Sequence, residues 1–124
     1  MSLVHYIFVR KDLPLGTLAA MVTHAAGESG AMWGYQDGGG LPPHTTAVVL
    51  EANDEAHLGN IANYLGREGL LYEAVYESSE PYIGQLMAIG LWPDDRAYFG
   101  TLLAHFKLLK TCLPTIPLDN EITT

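Results

Sequence analysis

The sequence predicts an α/β domain of three layers, a mixed four-stranded sheet with helices on both faces, and three observations lead there. The opening run Leu3–Val9 is apolar and β-branched with little alternation, the pattern of a strand covered on both sides. The segments that follow alternate between strand-like and helix-like composition, in the order β-α-β-α-β-β-α. The 124 residues, 48% of them hydrophobic and 16% charged, suit one compact domain and are too few for two.

Each element follows from local chemistry. After the first strand, "KDLPLG" supplies Pro14 and Gly16 as a connection, and the alanine-rich stretch Leu18–Gly27 is expected to be helical and to continue towards Trp33. Gly34–His44 carries four glycines and two prolines, so an irregular loop is expected there, open to use as a lid. Thr45–Ala52 reads as the second strand. Asn53 follows as the expected N-cap of a helix over Asp54–Gly66, with Asp54 and Glu55 in its first turn and Ala56, Leu58, Ile61, Ala62 and Leu65 facing the core. Leu70–Glu77 and Gly84–Leu91 read as the third and fourth strands. Pro93, Asp94 and Asp95 open a last helix through Phe106. The domain is expected over residues 1–110, with 111–124 a loosely ordered C-terminal tail.

Composition narrows the function classes. With 14 acidic against 6 basic residues and a formal net charge of −8, the whole molecule has no field that would attract nucleic acid. Seven of the acids lie between Glu51 and Glu80, where Arg67 is the one basic residue. An RNA contact must therefore be local, on the side of Arg10 and Lys11, joined by Lys107 and Lys110. The single cysteine, Cys112, excludes an intrachain disulfide and favours a reducing, cytoplasmic setting. No apolar run approaches the roughly 20 residues of a membrane span, so no membrane partner is expected. There is no phosphate-binding G-x-x-x-x-G-K-[ST] motif. "GESGA" around Ser29 fails as a nucleophile elbow because Ala31 stands where glycine is needed. The five histidines show no metal-ligand spacing, so no metal or cofactor is expected.

Within "LGTLAAMVTHAAG", helical geometry places Leu18, Val22 and Ala25 on one face. Thr17, Met21, His24 and Glu28 fall on a neighbouring stripe. A histidine at the border of a sheet-facing side can meet a cleft, and can equally be a structural side chain.

"YIFVRKDLPLGTLAAMVTHAA" resembles the opening of the type II peptidyl-tRNA hydrolases. In that family a strand ending in an Arg-x-Asp-Leu phrase leads to a glycine-lysine turn and a helix reading roughly A-A-Q-x-x-H-A-A. "AVVLEANDEAHLGNIANYLGREGL" is similar to the family's second strand and helix, and "LMAIGLWPDDRAYFGTLLAHFKLLK" to its closing strand and last helix. The nearest branch is that of the peptidyl-tRNA hydrolase domain-containing proteins, whose "Y-x-x-x-R-K-D-L" and "V-V-L-E-A-x-D-E" phrases are matched by Tyr6–Leu13 and Val48–Glu55. The resemblance implies a peptidyl-tRNA hydrolase II-like fold and metal-independent hydrolysis of the ester joining a peptide to tRNA. It also implies a homodimer, for which Met32, Trp33 and Trp92 are candidate interface residues.

The family's catalytic surface is credited to a lysine, a glutamine and a histidine on the first helix, with an aspartate and threonines opposite. His24 matches the histidine. Thr17 stands in place of the lysine and Met21 in place of the glutamine. The family's D-A-G-[RK]-T turn is here Glu77–Pro81, so Glu77 takes the place of the aspartate, and Gln85 lies near a threonine position. The implied site is therefore His24 as base with Thr17, Glu77 and Gln85 as catalytic helpers, and Arg10, Lys11 and Met21 on the substrate side. Lys11 is the candidate for the missing cation, which in such sites supplies an oxyanion donor. These departures imply a weakened or altered active site. They leave open an inactive member of the fold that serves as a binding or dimerisation module, and a small-ligand pocket beside His24.

Overall fold

The computed structural model describes residues 3–37, 41–42 and 44–110. Its centre is β1, Leu3–Arg10, whose side chains alternate between two separate apolar layers as the unbroken apolar run predicts. β1 pairs in parallel with β2, Thr46–Ala52, from Val4↔Thr46 to Arg10↔Ala52. On its other side it runs antiparallel to Leu86–Leu91, and that strand in turn pairs antiparallel with Tyr72–Tyr76. Numbered in chain order, Tyr72–Tyr76 is β3 and Leu86–Leu91 is β4, so the mixed sheet has the order β2-β1-β4-β3. A two-residue β5, Asp94–Asp95, adds to the start of β1 through Leu3↔Asp95 and Val4↔Asp94.

Helices cover both faces. α1, Leu15–Asp37, lies on the layer of Ile7, Val9, Met87 and Ala88 and buries Leu18, Met21 and Ala25. It starts three residues before the expected position and passes through Gly27, Gly30 and Gly34, so the irregular stretch expected from Gly34 begins later. Packing overrides glycine's poor helix propensity here. A side chain at Gly30 would sit 3.4 Å from Leu41 Cδ1 and 3.7 Å from His5 Cε1. At Gly90 of β4 there is no room at all: a Cβ would collide with the Ala25 carbonyl and Ser29 Oγ, so only glycine lets α1 lie this close to the sheet. Gly38–Gly40 and Pro43, the heart of the expected lid loop, lie outside the described residues.

α2, Glu55–Arg67, covers the opposite layer with Leu58, Ile61 and Leu65, against Phe8, Leu50, Ile89, Leu91 and Phe99. Ala56, expected on this stripe, is exposed. The N-cap is Asp54 rather than Asn53: Asp54 Oδ1 accepts from the His57 amide at 2.9 Å, while the Asn53 amide donates to His57 Nδ1 at 2.9 Å.

The largest departure follows Pro93. In place of one helix to Phe106 come β5, a single turn α3 over Arg96–Phe99 capped by Asp95, and a 3₁₀ turn at Gly100–Leu102. Gly100 adopts φ +30°, which ends the helix. The chain then runs beside β2: Leu50 pairs with Leu108, the Glu51 amide donates to the Lys107 carbonyl, and the Leu109 amide to that of Val49, both at 2.9 Å. Among the described residues no helix is long and apolar enough to cross a membrane. The expected tail, with Cys112, lies outside the described residues.

Candidate functional site

In open α/β sheets ligands gather beyond the carboxyl ends of the parallel strands. Here that end holds Arg10, the last residue of β1. Its guanidinium, 6% exposed, grips the Asp12 carboxylate as a fork, Nε to Oδ1 at 3.0 Å and Nη2 to Oδ2 at 2.9 Å. Nη1 donates to Gln85 Oε1 at 2.8 Å and to the Leu86 carbonyl at 3.3 Å. The Tyr82 ring lies 5.9 Å away. The Asp12 hydrogen bond is the main cause raising the Arg10 pKa above its usual value, against the opposing effect of burial. The same bond holds the Asp12 carboxyl below the usual carboxylate range. Arg10 thus joins the end of β1 to the start of β4, with its donors directed at protein groups. Glu55 of α2 accepts the Leu86 amide at 2.8 Å and ties the same corner to the second helix. Sequence reasoning missed Asp12, although its place two residues after Arg10 in the Arg-x-Asp phrase was a usable signal.

Beside this corner is a hollow of about 240 Å³ lined by Lys11, Glu51, His57, His105, Phe106 and Lys107. Lys11 Nζ pairs with Glu51 Oε2 at 3.0 Å, and the Lys110 amide donates to Glu51 Oε1 at 3.3 Å. The Lys11 hydrogen bond is the first cause holding the Glu51 carboxyl below its ordinary pKa. His105 lies against Phe106 with ring centroids 4.0 Å apart. Of the basic residues expected to form a local patch, Lys11 and Lys107 line this hollow around Glu51 and beside an aromatic pair, Lys110 reaches it only through its amide, and Arg10 is turned away to Asp12 and Gln85.

The other expected residues are dispersed. His24 is exposed on α1, and Thr17, half-buried, lies two turns earlier, about 10 Å along the axis. Met21 does not share their stripe: at 6% exposure it packs with Leu18 and Ala25 in the core. Glu77 Oε1 accepts from the amides of Ser78 at 2.8 Å and Ser79 at 3.4 Å, within its own turn. The backbone brings Glu77 and Gln85 together, the Glu77 amide donating to the Gln85 carbonyl at 3.0 Å. Gln85 then turns its side chain to Arg10. Among the described residues no hydrogen bond links His24 to Glu77, Thr17 or Gln85. No group of three His, Cys, Asp or Glu among them is placed to hold a metal.

A different histidine meets a serine. His5 Nε2 lies 2.6 Å from Ser29 Oγ, and both residues are buried. Ser29 Oγ donates to the Ala25 carbonyl at 2.7 Å, so it accepts from an Nε2–H of His5 and fixes that tautomer. Burial lowers the His5 pKa. With Ser29 fully sealed and its proton spent on the helix, this pair locks α1 to β1 and offers no nucleophile. Sequence reasoning missed the pair because its members are 24 residues apart.

At the opposite end of the sheet lies a larger cleft, of about 380 Å³. Trp33 of α1, Leu71 before β3, Trp92 after β4, Asp94 and Tyr98 form its walls over Phe99. Trp92 Nε1 donates to Glu73 Oε2 at 2.9 Å. Trp33 and Trp92, expected as interface residues, share this one cleft, whereas Leu71 and Tyr98 gave no signal in the sequence.

The fold is similar to that of a solved protein of unknown function, Atu0240 from Agrobacterium tumefaciens strain C58. The TM-score is 0.64 over 89% of this chain and 99% of that one, at 14% identity, a likeness that shows the fold alone. No family model and no curated protein matches the sequence.

Proposed function

We propose that this chain is a peptidyl-tRNA hydrolase-like protein that binds peptidyl-tRNA at the Lys11–Lys107 hollow and hydrolyses its ester poorly or not at all. The family and substrate class come from the sequence resemblance; the loss of turnover is argued from the site. The observation that carries it is that, among the described residues, no side chain hydrogen-bonds to His24. A general base needs an attacking water held in reach and a partner that orients the ring, and an ester's developing oxyanion needs donors. Glu77 is engaged with its own turn, Met21 is in the core, Arg10 is directed at Asp12 and Gln85, and Lys11 is held by Glu51. The hollow offers the Lys107 ammonium for a phosphate, with Lys11 beside it already paired to Glu51, and an aromatic pair for a base to stack on.

A second reading, an active ester hydrolase with His24 as base, is favoured by the exposure of its imidazole. Peptide release from peptidyl-tRNA, measured beside filter binding, separates the two. The expected result is binding that Lys107→Glu weakens, with release close to the uncatalysed rate. Rapid release that His24→Ala abolishes overturns the binding reading in favour of the hydrolase.

A further inference from the structure

We propose that the aromatic cleft at the amino end of β1 is a binding site for a small organic cation, an alkyl- or arylammonium compound. It lies across the sheet from the Lys11 hollow and does not depend on the reading of that hollow.

Three features of the cleft determine the chemistry. Its volume, about 380 Å³, is that of a small-molecule site rather than of a crevice between side chains. Its walls present Trp33, Trp92 and Tyr98, and aromatic faces carry the negative end of the ring quadrupole, which attracts a cation placed over them. Among the described residues lining it, the one charged side chain is Asp94; no lysine, arginine or histidine is among them. Asp94 Oδ1 accepts from the Asp95 amide at 2.7 Å, and the carboxylate remains exposed. An acidic residue among three aromatic ones, with no basic side chain in the lining, is complementary to a ligand with one positive charge and an apolar body. An anion would meet repulsion from Asp94.

The site is also built before any ligand arrives. Trp92 is pinned by its bond to Glu73, and Tyr98 packs edge-on against Phe99 at 5.7 Å between ring centroids. Phe99 is in turn wedged against Tyr6 at 4.9 Å. Rings already held cost little further ordering on binding. Leu71, 60% exposed, and Tyr98, 50% exposed, form an apolar rim to the cleft. A second copy of the chain is a poorer occupant, because a two-fold contact centred on the cleft brings Asp94 towards its own copy in a protein of formal net charge −8.

The chain carries its own reporters, since Trp33 and Trp92 are its only two tryptophans. The experiment titrates benzyltrimethylammonium and choline, each against a neutral isostere (3,3-dimethylbutan-1-ol for choline), following tryptophan fluorescence and the two indole N–H signals by NMR. Expected are saturable changes at both indoles and affinity for the cation about tenfold or more above that for the neutral isostere. Asp94→Asn, at an exposed position, should remove most of that preference while leaving the melting temperature unchanged. Equal binding of the isostere, an unchanged preference in Asp94→Asn, or no saturable response up to about 10 mM cation overturns the proposal. So does a dimer in sedimentation that buries both indoles and dissociates in Trp33→Ala.

Discussion

Two buried residues set how α1 meets the sheet, and each makes a measurable demand. Gly90 admits the Ala25 carbonyl and Ser29 Oγ where any side chain would stand. Gly90→Ala is therefore expected to cost about 2 to 3 kcal/mol, seen as a lower denaturant midpoint with an unchanged slope. His5 is buried as a neutral ring with its pKa lowered from the usual value. As pH falls below about 6.5 the unfolded chain takes up a proton that the folded ring resists, so stability that is full above that pH declines until the folded ring also titrates. Melting temperature should fall between about pH 7.5 and 5, and His5→Asn should flatten that dependence even if it lowers stability overall. Arg10, buried where β1 meets β4, makes a demand of its own. Arg10→Met removes four donor contacts to Asp12, Gln85 and Leu86, and is expected to destabilise by about 2 kcal/mol, without changing tRNA affinity if Lys11 and Lys107 carry it.

At the scale of elements, the parts legible in the sequence are those whose burial pattern is local. β1 and β4 are covered on both sides and read as unbroken apolar runs. α2 is amphipathic and reads as a stripe, with Asp54→Ala expected to cost about 1 kcal/mol through its lost cap. α1 was legible as a helix but not in its length, because burial of Leu18, Met21 and Ala25 against the sheet holds the helix together through glycines that read locally as breaks. The segment after Pro93 misled for the opposite cause. Its composition favours a helix, yet Gly100 turns the chain so that Leu108 can pair with Leu50. The candidate sites divide in the same way. Lys11 and Lys107 were nameable as scattered cations, but their meeting around Glu51 depends on that turn. The separation of Met21 from His24 depends on how far α1 is rotated against the sheet, which spacing alone leaves open by one position.

For the whole molecule, the acidic surface confines any RNA contact to one corner. If Lys107, and at most Lys11 released from Glu51, make the phosphate contacts, the logarithm of affinity should fall with that of salt with a slope of no more than about 2. A slope several times larger would mean a footprint far beyond the hollow.

The pairing of Leu108 with β2 has one more consequence. β2 would otherwise end the sheet with a row of unpaired amides and carbonyls, and such an edge recruits strands from other molecules. The segment from Lys107 to Leu109 occupies part of that row with its own backbone. Covering that stretch leaves less edge for other strands to join, so its loss should appear in shelf life before it appears in melting temperature. Leu109→Pro removes the amide that bonds Val49. It is expected to leave the cores of α1 and α2 folded while light scattering rises on storage at high protein concentration.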